Sequence, residues 1–205
     1  MSSETRLPAW SAAIAGADPA AWLRAGGIVL LASICVAACA HVALPLTFTP
    51  VPLTLQPLAV LLVGLLLSPR LAGASLIAYL GEGALGLPVF APGPASAPGV
   101  AHLFGPTGGY LLAYPFAAML ISLLYRRSGR GFLPALLSAA AGNLLILSIG
   151  ALWLGILTHA PATAVLLQSV VPFLPGDALK VMAAASLAAG WFRLRHRNPG
   201  SSATV

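Results

Sequence analysis

Charge is what this sequence has least of. Asp and Glu together number 4 and Lys and Arg 10 in 205 residues, so charged side chains make up 7% of the chain against 59% hydrophobic ones. Ordinary soluble domains carry about 25% charged residues. So small a polar supply cannot clothe a water-exposed surface of this size, and with a mean hydropathy of +0.96 the solvent for most of the chain is lipid. Cysteine is scarce as well. Cys35 and Cys39 lie four apart in one apolar stretch, where a helix sets both on one face without the arrangement a disulfide needs, so they are read as small packing residues.

Other absences narrow the function. Gly105-Pro106-Thr107-Gly108-Gly109 lacks the Lys-Ser/Thr ending of a phosphate-binding loop, so the chain is not expected to hydrolyse ATP. A pI near 10.2 invites a nucleic-acid reading, but the arginines are dispersed and no basic patch is interleaved with aromatics, so no nucleic-acid partner is expected. No metal-ligand cluster, nucleophile triad or second catalytic carboxylate accompanies the few ionisable groups, which argues against an intramembrane enzyme and against a cofactor.

What the chain does have is long apolar runs: Gly26 to Leu46, Leu53 to Leu67, Leu71 to Leu87, Gly108 to Tyr125, Phe132 to Leu157 and Val165 to Trp191, each bounded by charge, Pro or Gly. A crossing takes about 20 apolar residues. The expected fold is therefore an all-α, polytopic bundle of six transmembrane helices, with the second and third runs short enough to tilt or lie deep. Residues 1–25 form a segment before the bundle, 26–191 the bundle itself and 192–205 a tail. The first run is full-length with no cleavage pattern after it, so it is expected to be retained as a span.

Charge placement orients the bundle. In the six-span scheme Arg6 and Arg24, Arg70, the trio Arg126, Arg127 and Arg130, and finally Arg193, Arg195 and Arg197 all fall on one side. The opposite loops, Pro45 to Pro52, Pro88 to Thr107 and Thr158 to Ala164, hold no Lys, Arg, Asp or Glu. Positive residues stay inside, so both termini are expected in the cytoplasm, in a bacterial-type cytoplasmic membrane. A five-span or seven-span scheme sends an arginine cluster outside. The Pro- and Gly-rich loop from Pro88 to Pro106 is too apolar to be a solvated tail and reads as a lid over an outward-facing cavity.

With Glu4, Asp18 and the flanking arginines set aside, Glu82, Asp177 and Lys180 remain within or beside apolar spans, where an ionisable group is costly and functional by default. Asp177 and Lys180 are three apart and share a helix face, either as a self-satisfied ion pair or as donor and acceptor for a ligand. Pro172, Pro175 and Gly176 just before them predict a broken helix, the kind of discontinuity that builds binding sites in membrane proteins. Counting back from Arg193 at about 1.5 Å per residue puts the pair in the outer half of the bilayer. Glu82, between Gly81 and Gly83, either reaches the hydrated interface or joins the site. Asn143 pairs helices or meets a ligand. Gln56 can line the same cavity, and Tyr79, Phe90 and Tyr110 offer flat surfaces for a ring. Gly108 and Gly109 mark a close backbone approach.

Four ordered motifs, Phe48-Thr49-Pro50-Val51-Pro52-Leu53-Thr54-Leu55-Gln56, Gly86-Leu87-Pro88-Val89-Phe90, Gly105-Pro106-Thr107-Gly108-Gly109-Tyr110 and Pro172-Phe173-Leu174-Pro175-Gly176-Asp177-Ala178-Leu179-Lys180, closely resemble the BioY family, over about Gly26 to Trp191. That family comprises biotin-specific substrate-binding (S) components of energy-coupling-factor (ECF) vitamin transporters. The resemblance implies a six-helix S component with a vitamin site near the outer face, between the last three helices and the outer loops. It implies that Asp177 and Lys180 match the polar pair that helps hold biotin, and that the loop after Phe90 closes over the ligand. From Ala91 to Val100 the chain departs from the family's glycine-rich pattern, carrying three prolines and Ser96 as its one polar side chain. The resemblance further implies docking of small first-helix residues, here Ala32, Ser33, Ala37, Ala38 and Ala40, on a transmembrane coupling subunit. Two ATPase subunits would energise uptake, or the chain would act without them as a homo-oligomer. The rival reading is a membrane scaffold whose charges merely pair helices and which binds no small molecule.

Overall fold

The computed structural model describes residues 18–93 and 97–197; the expectations attached to Glu4, Arg6, Ser96 and the tail beyond residue 197 lie outside them. Helix α1, Pro19–His41, starts well ahead of the apolar run at Gly26. Asp18 caps it, its carboxylate accepting the Ala20 N–H at 3.0 Å, and Pro19 takes the first helical position, where a missing N–H costs nothing. The boundary expected at residue 25 therefore falls inside a helix.

Beyond α1 the chain leaves helical structure for a two-residue antiparallel ladder, β1 Ala43–Leu44 and β2 Leu53–Thr54, in register Ala43 to Thr54 and Leu44 to Leu53. This departs from the all-helical expectation. The prolines at 45, 50 and 52 forbid helix, and the ladder holds the ends of the intervening loop together. Helix α2 runs Gln56–Leu66 and α3 runs Pro69–Ala84, the latter capped by Ser68. A 3₁₀ turn, Gly99–Phe104, follows in the outer loop. Then come α4, Gly108–Arg127, α5, Phe132–Thr158, and a broken pair, α6 Ala162–Ser169 and α7 Leu174–Arg197.

The six apolar runs thus reappear in order as helical segments. Among the described residues three helices, α1, α4 and α5, are long and apolar enough to cross a membrane, and the α6–α7 pair, bent by 49°, makes a fourth as a single broken span. With 11 and 16 residues, α2 and α3 measure about 16 and 24 Å at 1.5 Å per residue, short of a hydrocarbon core of about 30 Å. The break was expected at Pro172 to Gly176; it falls at 170–173, and α7 restarts with Pro175, Gly176 and Asp177 in its first turn.

In lipid, apolar burial does not drive helices together, so close packing must. Between α4 and α5 it is achieved with glycine: a Cβ on Gly109 would lie 2.2 Å from Trp153 Cβ, and one on Gly150 would lie 2.3 Å from the Tyr110 ring. On α1 the small residues do the same job. Ala32, Ser33 and Ala40 are buried within the bundle, where α1 packs on α3, and Ser33 donates a hydrogen bond to the Glu82 carboxylate. Of the five residues expected to dock on a coupling subunit, Ala38 is exposed and Ala37 half-buried. The outward face of α1 is otherwise bulky, with Leu30, Leu31 and Ile34 exposed.

Contacts at one end of the bundle gather the arginine-bearing turns. Arg126 Nε donates to Ser122, whose hydroxyl donates in turn to the Leu67 carbonyl just before α3, and the Arg130 guanidinium sits 4.7 Å from the Phe192 ring of α7. Arg195 lies over Trp191 on the same helix. The uncharged loops close the opposite end.

Candidate functional site

A cavity opens at that uncharged end, holding about 540 Å³ of unfilled space including its mouth. Its polar floor is built by the restart of the broken helix. With Asp177 in the first turn of α7 and Lys180 one turn on, Lys180 Nζ donates to Asp177 Oδ1 at 2.9 Å. Across the gap α5 brings Asn143, whose amide Nδ2 donates to Asp177 Oδ2 at 3.2 Å. A carboxylate can only accept, so the amide must present its nitrogen to Asp177, leaving Asn143 Oδ1 buried with no hydrogen-bond partner among the described residues. Asp177 is 4% exposed and Lys180 and Asn143 each 7%.

Charges this deep are tolerable because they neutralise each other, yet the pair is not saturated. Lys180 has further N–H groups and Asp177 further lone pairs, while Asn143 Oδ1 is an orphaned acceptor whose burial costs about 1–3 kcal/mol unless a partner arrives. The floor therefore offers donors and acceptors side by side with little net charge. That suits a neutral, doubly functional polar group.

Gln56 and Tyr110 also line the cavity. Gln56 is held by a hydrogen bond from its amide to Tyr79 Oη at 2.7 Å, and Tyr79 donates onward to the Val89 carbonyl at 3.1 Å, tying α2, α3 and the outer loop together. Tyr110 donates to the Ser169 carbonyl at 2.7 Å, at the end of α6 where the helix break leaves that oxygen free, and its ring faces Phe173. Tyr79 and Phe90 stand behind the lining. Phe90 packs edge-on against Tyr79 and 4.7 Å from the His102 ring, above Gly83, where a Cβ would strike the Phe90 ring at 2.1 Å. Asn143 also stands outside the lining and reaches the cavity through Asp177, whereas the Glu82 carboxylate turns away to Ser33 on α1.

Several lining residues escaped the sequence reading: Tyr114, Ile146, Leu147, Thr54, Thr107 and His102. Tyr114 follows Tyr110 by four, one helical turn, so it lies on the same face of α4; that spacing could have revealed it. His102 is 6% exposed, and burial pushes its imidazole below the usual histidine value. Nothing around it in sequence signals that the loop folds its ring into the cavity wall.

Comparison with known proteins agrees with this architecture. The model of the BioY family matches residues 15–197. A probable biotin transporter BioY of Pyrococcus horikoshii is 40% identical over 139 residues, covering 68% of this chain and 79% of its own. Biotin transporter BioY2 of Lactococcus lactis is 36% identical, over 76% of this chain and 82% of its own. Among solved structures, the S-component for biotin from an ECF-type ABC transporter superposes with a TM-score of 0.76 at 26% identity, covering 88% of this chain and 95% of that one.

Proposed function

Because the chain belongs to the BioY family, we propose that it is the biotin-binding S component of an ECF-type transporter, with the cavity above Asp177, Lys180 and Asn143 as its vitamin site. The observation that carries the reading is the unsaturated, nearly neutral floor. Biotin's ureido group has two N–H donors and one carbonyl acceptor, which match the remaining lone pairs of Asp177, itself held by Asn143, on one side and the remaining N–H groups of Lys180 on the other. Tyr110, Tyr114 and Phe173 supply apolar walls for the bicycle, and the carboxylate lies toward the outer loops. The reverse pose sets the carboxylate against Lys180. It is disfavoured because Lys180 already faces Asp177 at 2.9 Å, and a second carboxylate there would leave the floor with a net buried negative charge.

The topology that goes with this function has six membrane passes, with α2 and α3 as short, deep ones and both termini in the cytoplasm. The support is the segregation of arginine to one end and the lack of Lys, Arg, Asp and Glu in the loops at the other. Energised uptake then requires a transmembrane coupling subunit and two ATPase subunits, since the chain has no phosphate-binding loop of its own; action as a homo-oligomer is the alternative.

The test is competition binding of labelled biotin to the purified protein in detergent. Displacement by unlabelled biotin but not by thiamine supports the reading, and absence of saturable binding by folded protein refutes it. The scaffold reading predicts no saturable ligand.

A further inference from the structure

His102 and Thr107 both line the cavity from its loop side, and their hydrogen bonds fix which of them holds each proton. His102 Nδ1 lies 3.2 Å from the Ala97 carbonyl oxygen. A carbonyl only accepts, so Nδ1 carries hydrogen. The other ring nitrogen, Nε2, lies 3.2 Å from Thr107 Oγ1. In the neutral ring Nε2 can only accept, so the Thr107 hydroxyl points its hydrogen at the histidine and turns lone pairs to the cavity. Once Nε2 is protonated the direction reverses: the ring donates to Thr107, and the threonine hydrogen is released toward whatever occupies the cavity.

The charge on His102 therefore decides whether this wall offers a ligand an acceptor or a donor. A carboxylate needs the donor and is also attracted by the imidazolium behind it. Resting on the proposed biotin reading with the carboxylate toward the outer loops, we propose that His102, acting through Thr107, is a positioning residue for the ligand's carboxylate, and that binding a carboxylate-bearing ligand takes up one proton there. Burial favours the neutral ring in the empty protein, so the proton arrives with the anion.

Other titratable groups around His102 are few. Across the cavity stand Asp177 and Lys180 on α7, with Tyr110 and Tyr114 on α4. On α3 are Tyr79, in edge contact with the intervening Phe90, and Glu82, turned to Ser33. Beyond Phe90, in a separate outer hollow that His102 also lines, lies His41, bonded to the Ala37 carbonyl. Of these His41 is the one other histidine, so it is the necessary control.

The experiment measures the affinity of the purified full chain for biotin and for its primary amide between pH 8 and pH 6, a window in which the biotin carboxylate stays ionised. One linked proton allows at most about a tenfold change per pH unit. We expect biotin to bind several-fold more tightly at pH 6 than at pH 8 and the amide to show no trend. His102→Gln, whose amide can donate or accept without titrating, and Thr107→Val should each flatten the biotin profile. Thr107→Ser and His41→Gln should keep it. A flat biotin profile in the wild type, an equal slope for the amide, or a slope that survives His102→Gln overturns the inference while leaving the biotin site standing. Failure of both ligands to bind at any pH overturns the biotin reading itself, and this inference with it.

Discussion

Asp177 illustrates how one residue's cost is met by its neighbours. A lone carboxylate this deep would be costly enough to protonate; here Lys180 and Asn143 each donate to one of its oxygens. Lys180→Met leaves the carboxylate without its counter-charge, and Asp177→Asn leaves a buried ammonium. Breaking one side of a buried pair costs about 3–5 kcal/mol, so each single variant should lower the thermal midpoint in detergent and weaken biotin binding by more than tenfold. The double variant restores charge neutrality and should melt above Lys180→Met alone while still failing to bind biotin. Equal melting of the single and double variants would show that the pair is not coupled. Unchanged biotin affinity in both singles would remove the pair from the site.

His102 carries a stability effect of definite sign. Burial holds its folded-state value below the ordinary 6.5, so as pH falls the unfolded chain takes up this proton first. The contribution is fully present above about pH 6.5 and is lost as pH falls below it. The ligand-free protein should therefore lose thermal stability between pH 7 and pH 5.5, and comparison with His102→Gln isolates the part due to this ring. An unchanged slope in that variant would assign the loss elsewhere.

At the scale of elements, what could be foreseen is what depends on neighbours in sequence. The i, i+3 spacing of Asp177 and Lys180, the helix break that Pro172 and Pro175 announce, and the close approach at Gly108 and Gly109 are all local, and all stand in the structure. What could not be foreseen depends on partners far along the chain. Asn143 meets Asp177 from 34 residues away and Ser33 meets Glu82 from 49. A stripe of small residues on α1 reads equally as a surface for a partner or as a seam within the bundle. The ladder after α1 and the His102 ring in the cavity wall are likewise products of how the loops cross the bundle mouth. The α4–α5 seam gives its own prediction: Gly109→Ala drives a methyl into Trp153, and overpacking of this kind costs about 1–3 kcal/mol. Gly190→Ala, with nothing within 4 Å of the new methyl, should melt no lower than the wild type. Comparable loss in both would show that flexibility, not the seam, is what glycine supplies.

For the whole molecule, the division of labour between its two ends is the organising feature. One end gathers arginines over aromatic rings at the close of α7, and the other is uncharged in its loops and houses the only buried ion pair among the described residues. With Cys35 and Cys39 replaced by alanine, a cysteine at position 160 should react with a membrane-impermeant maleimide in intact cells, and one at position 128 only after permeabilisation. The reverse pattern would invert the topology and put the cavity on the cytoplasmic side. The central claim is the vitamin site, and binding of labelled biotin to the purified, folded protein tests it most directly. Saturable binding displaced by biotin, untouched by thiamine and lost in Lys180→Met is the predicted result; no saturable binding, or displacement by thiamine as readily as by biotin, would contradict it.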